Sequence, residues 1–193
     1  VIDEFIFSDV FGDRGRWSNK YAYQIGGKYF DAFGIDRLDL QVEHNFGRPY
    51  VYTHTTQTTS YSHYEQALAH PLGANFREFI GIVRYRPHPK LYFYGKLVAA
   101  EYGEESEGTN IGKNILLPNT SRDSDDDNFV GQGVNTNLLF GEFRASYMLR
   151  HNLFIDLSQI IRMEDSEDDN RDVNNSVTSL GIRLNLAAKD FTF

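Results

Sequence analysis

The feature that most constrains this chain is an alternation of apolar and polar side chains with a period of two residues. In the segment IDRLDLQVEHNF, residues 35–46, Leu38, Leu40 and Val42 fall on one face of an extended chain, and charged or amide side chains fall on the other. A helix would space its apolar residues three and four apart, and this segment does not. The pattern therefore predicts a β-strand.

The same alternation recurs along most of the chain. It is present in residues 20–28, 78–85, 90–97, 137–149, 151–162 and 179–186. The opening VIDEFIFS alternates poorly, because Asp3 and Glu4 fall on opposite faces. Together these segments predict about eight strands, most of them about ten residues long.

The connections between the segments alternate between short and long. The short ones are DAFG, RPHP and RH, and the long ones are GDRGRWSN, residues 47–75, roughly 103–135, and EDSEDDNRDVNN. Tight turns on one rim and large loops on the other are typical of an up-and-down meander that crosses an outer membrane. The predicted fold is therefore an all-β, antiparallel, up-and-down transmembrane β-barrel, and residues 1–193 form one domain.

A soluble β-sandwich or a lipocalin-like barrel is the competing interpretation, because its strands alternate too. Two features favour the membrane barrel. The polar face carries charges of both signs in the middle of the strands, which suits a watery lumen with internal ion pairs. Tyr21, Tyr85 and Tyr147 lie on the apolar face near strand ends, as expected for an aromatic girdle at the headgroups.

Composition narrows the function classes. The chain has 193 residues, enough for one domain, and its net charge of −8 argues against nucleic acid as a partner. It has no cysteine, which excludes a disulfide framework or a thiolate metal site. The sequence begins at Val1 without a leader, so a secretion signal is expected to have been removed, or the segment belongs to a longer chain.

The acidic loop residues Asp123, Asp125 and Asp127 have the spacing of a calcium-binding loop. Asn128 replaces the required glycine, however, and Val134 stands where the bidentate glutamate should be, so an EF-hand is rejected. Loose calcium or magnesium binding and a mobile solvated loop remain the two interpretations, and no metal site is predicted.

The long loop 47–75 has a different composition, rich in Tyr, Thr, His and amides. Such a loop can fold into a polar lumen as a plug, or it can bind carbohydrate by contacting sugar rings and hydroxyl groups. The candidate residues are His63, Tyr64, Glu65, His70 and Asn75. A zinc site on the two histidines and the glutamate is a weaker alternative. No nucleophile elbow, phosphate loop or paired-carboxylate motif is present, so the chain is predicted to be neither an enzyme nor a cofactor protein.

The segment HYEQALAHPLGANFRE, residues 63–78, followed by an alternating strand, resembles the Wzi-type capsule-assembly family of outer-membrane proteins, which includes relatives from gliding bacteria. The resemblance implies a large outer-membrane barrel that engages extracellular polysaccharide through its outer loops. About eight strands are too few for such a barrel, so the chain is expected to be its C-terminal portion.

The expected function is non-enzymatic, in assembly or attachment of capsule or exopolysaccharide, or in a surface adhesion and gliding apparatus. The expected partners are outer-membrane lipid and lipopolysaccharide, surface polysaccharide, and other outer-membrane or periplasmic proteins. The expected location is the bacterial outer membrane, with the long loops extracellular. A diffusion pore, an outer-membrane enzyme with a His/Asp site at its rim, and a soluble binding module are the alternatives.

Overall fold

The structure, a computed structural model, describes residues 2–4 and 14–185 of the chain. The strands are β1 (Ile2–Glu4), β2 (Lys20–Tyr29), β3 (Leu38–Gly47), β4 (Ser62–His63), β5 (Gln66–Ala67), β6 (Phe76–His88), β7 (Leu91–Glu104), β8 (Val134–Arg150), β9 (Leu153–Ser166) and β10 (Val173–Leu184). The only helical elements in these ranges are short 3-10 turns at Ala32–Gly34, Gln57–Thr59, Asn119–Ser121 and Asp169–Arg171.

The long strands form one antiparallel sheet in which sequence neighbours pair. The order is β1-β2-β3-β6-β7-β8-β9-β10, and β4 pairs with β5 in a separate hairpin inside the connection between β3 and β6. The short β1 adds two paired positions at the edge of β2. Because β1 and β10 are the two edges, residues 2–4 and 14–185 form an open sheet, and the predicted closed barrel is not what these residues build.

The all-β prediction and the alternation of strands are confirmed. The strands run further toward the long loops than predicted, because β7 extends to Glu104 and β8 begins at Val134. The predicted long connection EDSEDDNRDVNN was wrong in extent: β9 runs to Ser166 and β10 begins at Val173, so only residues 167–172 connect them. Ladder hydrogen bonds to β9 hold this polar segment extended. The predicted opening strand lies mostly outside the described residues.

The register brings most of the alternating apolar residues of the long strands onto one face, although Ile80, Val98 and Phe140 lie on the other. One row across the sheet consists of Val42, Gly81, Leu97, Gly141 and Ile161, each paired with the next. Directly paired residues in antiparallel strands point to the same side, so every second residue on either side of this row shares its face.

This apolar face is exposed. Val42 is 64% exposed, Phe79 59%, Leu97 54% and Leu180 76%. A sheet of a soluble domain would bury this face against a second layer. No second layer covers it among the described residues.

The opposite face is polar and less accessible. Gln41, Asn45 and Glu78 are buried on it. Three ion pairs also lie on this face, Arg144–Glu142 at 2.5 Å, Arg162–Glu164 at 2.6 Å and Arg183–Asp156 at 2.7 Å. The distribution of polar and apolar residues is therefore the reverse of that in a water-soluble sheet.

The connections alternate between the two ends of the sheet, and the predicted sorting by length holds only in part, because residues 167–172 are fewer than residues 30–37. Residues 30–37, Pro89 with Lys90, and His151 with Asn152 join strands at one end, which we call the short-turn rim. Residues 48–75, 105–133 and 167–172 join strands at the opposite end, which we call the loop end. All four helical turns except Ala32–Gly34 belong to the loop end.

The buried apolar cluster lies in the loops and not between the sheet and another layer. It consists of Ala22, Val51, Tyr52, Ala74 and Ile115, which come from β2, loop 48–75 and loop 105–133. Burial of these side chains packs the two long loops against each other and against the end of the sheet.

Buried hydrogen bonds reinforce this loop packing. The fully buried Tyr50 donates its hydroxyl to Asn110 O at 2.6 Å, and its N–H donates to Gly112 O at 2.9 Å. The ammonium group of Lys20, also fully buried, donates to Thr53 O at 2.9 Å. The loop end is therefore an ordered cap with its own core.

No helical segment in residues 2–4 and 14–185 is long and apolar enough to cross a membrane.

Gly112 and Gly108 provide a matched test of the loop packing, because both have a positive φ, +80 and +79. A Cβ at Gly112 would collide with the backbone and ring of Tyr50, whereas a Cβ at Gly108 would meet open space. We expect Gly108→Ala to lower the free energy of unfolding by about 1 kcal/mol and Gly112→Ala by roughly 3 kcal/mol or more. Urea unfolding of the refolded protein measures both, and equal losses would show that loop 105–133 does not pack on Tyr50.

Candidate functional site

Three of the predicted site residues lie at an exposed hairpin tip. The hairpin pairs β4 with β5, and its two turn residues, Tyr64 and Glu65, both have positive φ, 48° and 58°. A two-residue turn of this shape normally carries Asn and Gly, so Tyr and Glu cost backbone strain here. The ring of Tyr64 is 89% exposed and stacks on His63 with 4.2 Å between centroids. The hairpin thus presents an aromatic pair to the surroundings.

His70 lies away from this tip and is held in one orientation. Its Nδ1 accepts the Leu72 N–H at 3.2 Å, so the ring proton is on Nε2, which donates to Glu78 Oε2 at 3.0 Å. The same carboxylate oxygen accepts the Asn45 amide at 2.7 Å, and Phe76 stacks on the imidazole at 4.3 Å. His70 therefore joins loop 48–75 to the polar face of the sheet.

Asn75, the last predicted site residue, is fully buried with a φ of 55°. Its side-chain amide donates to Gly103 O at 3.2 Å and Gln132 O at 2.9 Å, and its carbonyl oxygen accepts the Gly131 N–H at 2.8 Å. These hydrogen bonds use both the amide nitrogen and the carbonyl oxygen of the Asn75 side chain. Asn75 therefore joins the start of β6 to loop 105–133.

A cleft of about 390 Å³ separates the hairpin side of loop 48–75 from the ends of β2 and β3. The loop contributes Tyr52, Tyr61 and His70 to its lining, and the strands contribute Gln24 and Asn45. The Tyr52 and Tyr61 rings are 5.8 Å apart and tilted by 35°. The cleft combines aromatic faces with amide groups, a chemistry suited to sugar rings and hydroxyls.

The residues that line the cleft also limit the charge it can offer to a ligand. None of the described residues that line the cleft is Lys or Arg, and its one imidazole bears its proton on Nε2, toward Glu78. The cleft therefore offers no fixed cation to an acidic sugar.

Sequence reasoning missed Gln24, Asn45, Tyr52 and Tyr61. The two tyrosines lie in the loop that was singled out, but nothing in their local sequence separates them from its other tyrosines. Gln24 and Asn45 enter the site because they are paired in the β2–β3 register, which the sequence alone does not reveal.

Lys113 joins the two long loops. Its ammonium group donates to Leu72 O at 2.5 Å and lies 4.4 Å from the centroid of the Tyr102 ring. Burial lowers the pKa of Lys113 from 10.5 to about 8, and the carboxylates of Glu104 and Glu105 oppose this shift only in part.

Two of the three aspartates with calcium-loop spacing use their carboxylates within the loop itself. Asp123 Oδ1 accepts the Asn110 N–H at 2.9 Å, and Asp125 pairs with Arg122 at 2.5 Å. The Asp127 N–H donates to Arg14 O at 2.7 Å. No group of three or more His, Asp or Glu side chains arranged to hold a metal ion occurs in the described part of the chain. The structure thus does not bring together either the three aspartates or the two histidines with Glu65.

Comparison with protein-family models, with curated proteins and with solved structures found no match for this chain. The resemblance of residues 63–78 to the Wzi-type family therefore stays a prediction.

Lys113 makes stability depend on pH in a defined direction. Between pH 8 and 10.5 the folded chain has released a proton that the unfolded chain still binds, so the free energy of unfolding rises with pH. We expect a gain of about 1–2 kcal/mol between pH 7.5 and 9.5. This range avoids Tyr50, whose hydroxyl pKa is raised to about 12 by burial and whose ordinary value is 10.

Urea unfolding at the two pH values tests this expectation. Lys113→Met should abolish the gain, and Lys28→Met, at an exposed lysine, should retain it. A wild-type gain that survives in Lys113→Met would assign it to another group.

Proposed function

We propose that this chain is part of a bacterial outer-membrane β-barrel whose long loops contact surface polysaccharide. In this role it acts without catalysis, in assembly or attachment of capsule or exopolysaccharide or in a surface adhesion and gliding apparatus. The observation that carries the proposal is that the sheet exposes its apolar face, whereas its charged face is less accessible.

Exposure of the apolar face to water would be costly, because each large apolar side chain left exposed forgoes about 1.5–3 kcal/mol of burial. Lipid tails remove this cost without a second protein layer. The three ion pairs on the opposite face instead need a polar interior, which a barrel lumen provides. Both faces thus suit a barrel wall.

The open edges support closure by further pairing. Among residues 2–4 and 14–185, all twelve residues of β10 pair with β9 and with no other strand. In a bilayer each unpaired backbone group would cost several kcal/mol, so a membrane-embedded sheet must close. Under the proposal the edges of β1 and β10 are paired with each other or with additional strands.

The polysaccharide contact rests on the cleft beside loop 48–75. Tyr52 and Tyr61 supply stacking surfaces, and Gln24 and Asn45 supply amides beside them. The aromatic pair His63–Tyr64 extends the contact surface outward. Because the cleft has no fixed cation, neutral sugars are the preferred ligand class. The Wzi-type resemblance of residues 63–78 agrees with this role.

Cysteine labelling tests the membrane placement, and the natural chain has no cysteine to interfere. Leu97→Cys lies on the exposed apolar face, and Lys96→Cys is its neighbour on the polar face. A fluorophore at position 97 should be strongly quenched by nitroxide groups on lipid acyl chains, and one at position 96 weakly. Equal quenching at both positions, or none at 97, would contradict the proposed barrel wall.

An array of neutral and uronate-containing bacterial oligosaccharides tests the cleft. We expect neutral members to bind more tightly, and Tyr61→Ala to weaken their binding roughly tenfold, because a stacking surface is lost. Phe129→Ala, at an exposed aromatic residue of loop 105–133, serves as the control and should leave binding unchanged. Binding that tolerates Tyr61→Ala would exclude the cleft as the sugar site.

A further inference from the structure

The short-turn rim carries a cluster of cations. Arg37 lies in the β2–β3 connection, Arg86 and Lys90 lie at the β6–β7 turn, and Arg150 ends β8. Backbone hydrogen bonds hold these turns side by side: the Arg86 N–H donates to Arg37 O at 3.1 Å, and the Met148 N–H donates to Lys90 O at 2.7 Å. The four cationic residues therefore belong to adjoining turns of one rim.

These cations differ from those on the polar face of the sheet. Arg144, Arg162 and Arg183 each pair with a carboxylate at 2.5–2.7 Å. None of the four rim cations forms an ion pair with any residue in 2–4 or 14–185. The rim also carries three carboxylates, Asp31, Asp36 and Asp39. Asp31 accepts the backbone N–H of Arg37, and Asp39 accepts the backbone N–H of Asp31. Within the described residues, positive charge is thus in excess on the rim and is not neutralised by ion pairs.

Arg86 shows the lack of a partner most clearly. One guanidinium nitrogen donates to Pro89 O at 3.1 Å, and the guanidinium lies 4.8 Å from the centroid of the Tyr92 ring. Its Nε is buried and has no hydrogen-bond partner. The side chain is thus held in place by the turn while donor capacity remains unused.

Aromatic side chains lie on the same rim as the cations. The Phe33 ring is 76% exposed, at a residue with a φ of 58°, and the Phe33 N–H donates to the Tyr29 hydroxyl at 3.1 Å. Tyr85 and Tyr147 lie on the apolar face near the same rim. Aromatic rings next to cationic side chains are typical of protein surfaces at the depth of lipid headgroups.

The opposite end has the opposite charge. Loops 105–133 and 167–172 contain a cluster of carboxylates: Asp123, Asp125, Asp126, Asp127, Glu167, Asp168, Asp169 and Asp172. An anionic surface would therefore attract the short-turn rim and repel the loop end.

We infer that the short-turn rim binds the phosphate groups of anionic phospholipids. Arg37, Arg86 and Arg150 offer planar donor forks that match phosphate oxygens, and Lys90 adds a point charge. The inference rests on the proposed membrane function and deepens it, because it names a lipid class and assigns it to one rim. Phosphate binding there would fix the orientation of the barrel, with its acidic loops directed away from the phospholipid leaflet.

Insertion of the full chain from urea into lipid vesicles tests the inference. Two vesicle preparations are compared, one of phosphatidylcholine alone and one in which about a third of it is replaced by phosphatidylglycerol, since each cation near an anionic surface adds to attraction. Wild-type protein should insert roughly tenfold faster into the anionic vesicles, and added salt should remove the difference.

Variants test whether the rim cations cause the preference for phosphatidylglycerol. Arg86→Gln/Lys90→Gln/Arg150→Gln should lose the preference for phosphatidylglycerol. Arg14→Gln/Arg77→Gln/Lys96→Gln removes the same charge outside the rim and should keep the preference. Because Arg86 also packs on Tyr92, Lys90→Gln/Arg150→Gln provides a second variant that leaves this contact intact and should lose part of the preference. Arg86→Lys/Arg150→Lys should retain most of it.

The outcomes separate the inference from the function on which it rests. Equal wild-type insertion into both vesicles, or a preference that survives in the triple rim variant, would overturn the lipid-binding rim and leave the barrel proposal standing. A preference lost equally in the outside-rim control would assign it to overall charge and would also overturn the inference. Failure of the wild type to insert into either vesicle would overturn both.

Discussion

The antiparallel register is the constraint on which the rest of this structure depends. Because each long strand pairs with its sequence neighbour, the row through Val42, Leu97 and Ile161 assembles apolar side chains from separate strands into one continuous face. A shift by one residue in any strand would place its charged residues on that face. The same pairing gathers Glu78, Glu142 and Glu164 on the opposite face, where each contacts an imidazole or guanidinium group.

The loop end contains buried packing that the sheet lacks. The sheet has no second layer among the described residues, so the long loops supply the compact apolar core of the chain. Polar residues such as Lys20 and Asn75 are fully buried there, and their bonds to backbone carbonyls offset the cost of removing them from water. This order gives the cleft defined walls, with His70 fixed between Glu78 and Leu72.

The two ends of the sheet differ in the charge of their connections as well as in the length of the longest connections. Cations on the short turns are unpaired within the described residues, whereas the long loops concentrate carboxylates, so the molecule is polarised along its strands. If the sheet is a barrel wall, this polarity and the exposed apolar face act together. The apolar face sets the depth in the bilayer, and the charged ends set the direction.

The sequence by itself determined the long strands, their two faces and the positions of the two longest connections, because these follow from local periodicity and turn residues. It also singled out loop 48–75 by composition. Tertiary structure alone decided that the described strands form an open sheet, and that Asn75 is a buried link while His63 and Tyr64 are exposed. It also brought Gln24 and Asn45 to the cleft beside Tyr52 and Tyr61. Those outcomes depend on register and on contacts between residues far apart in the chain, and alternation within a segment carries no information about either.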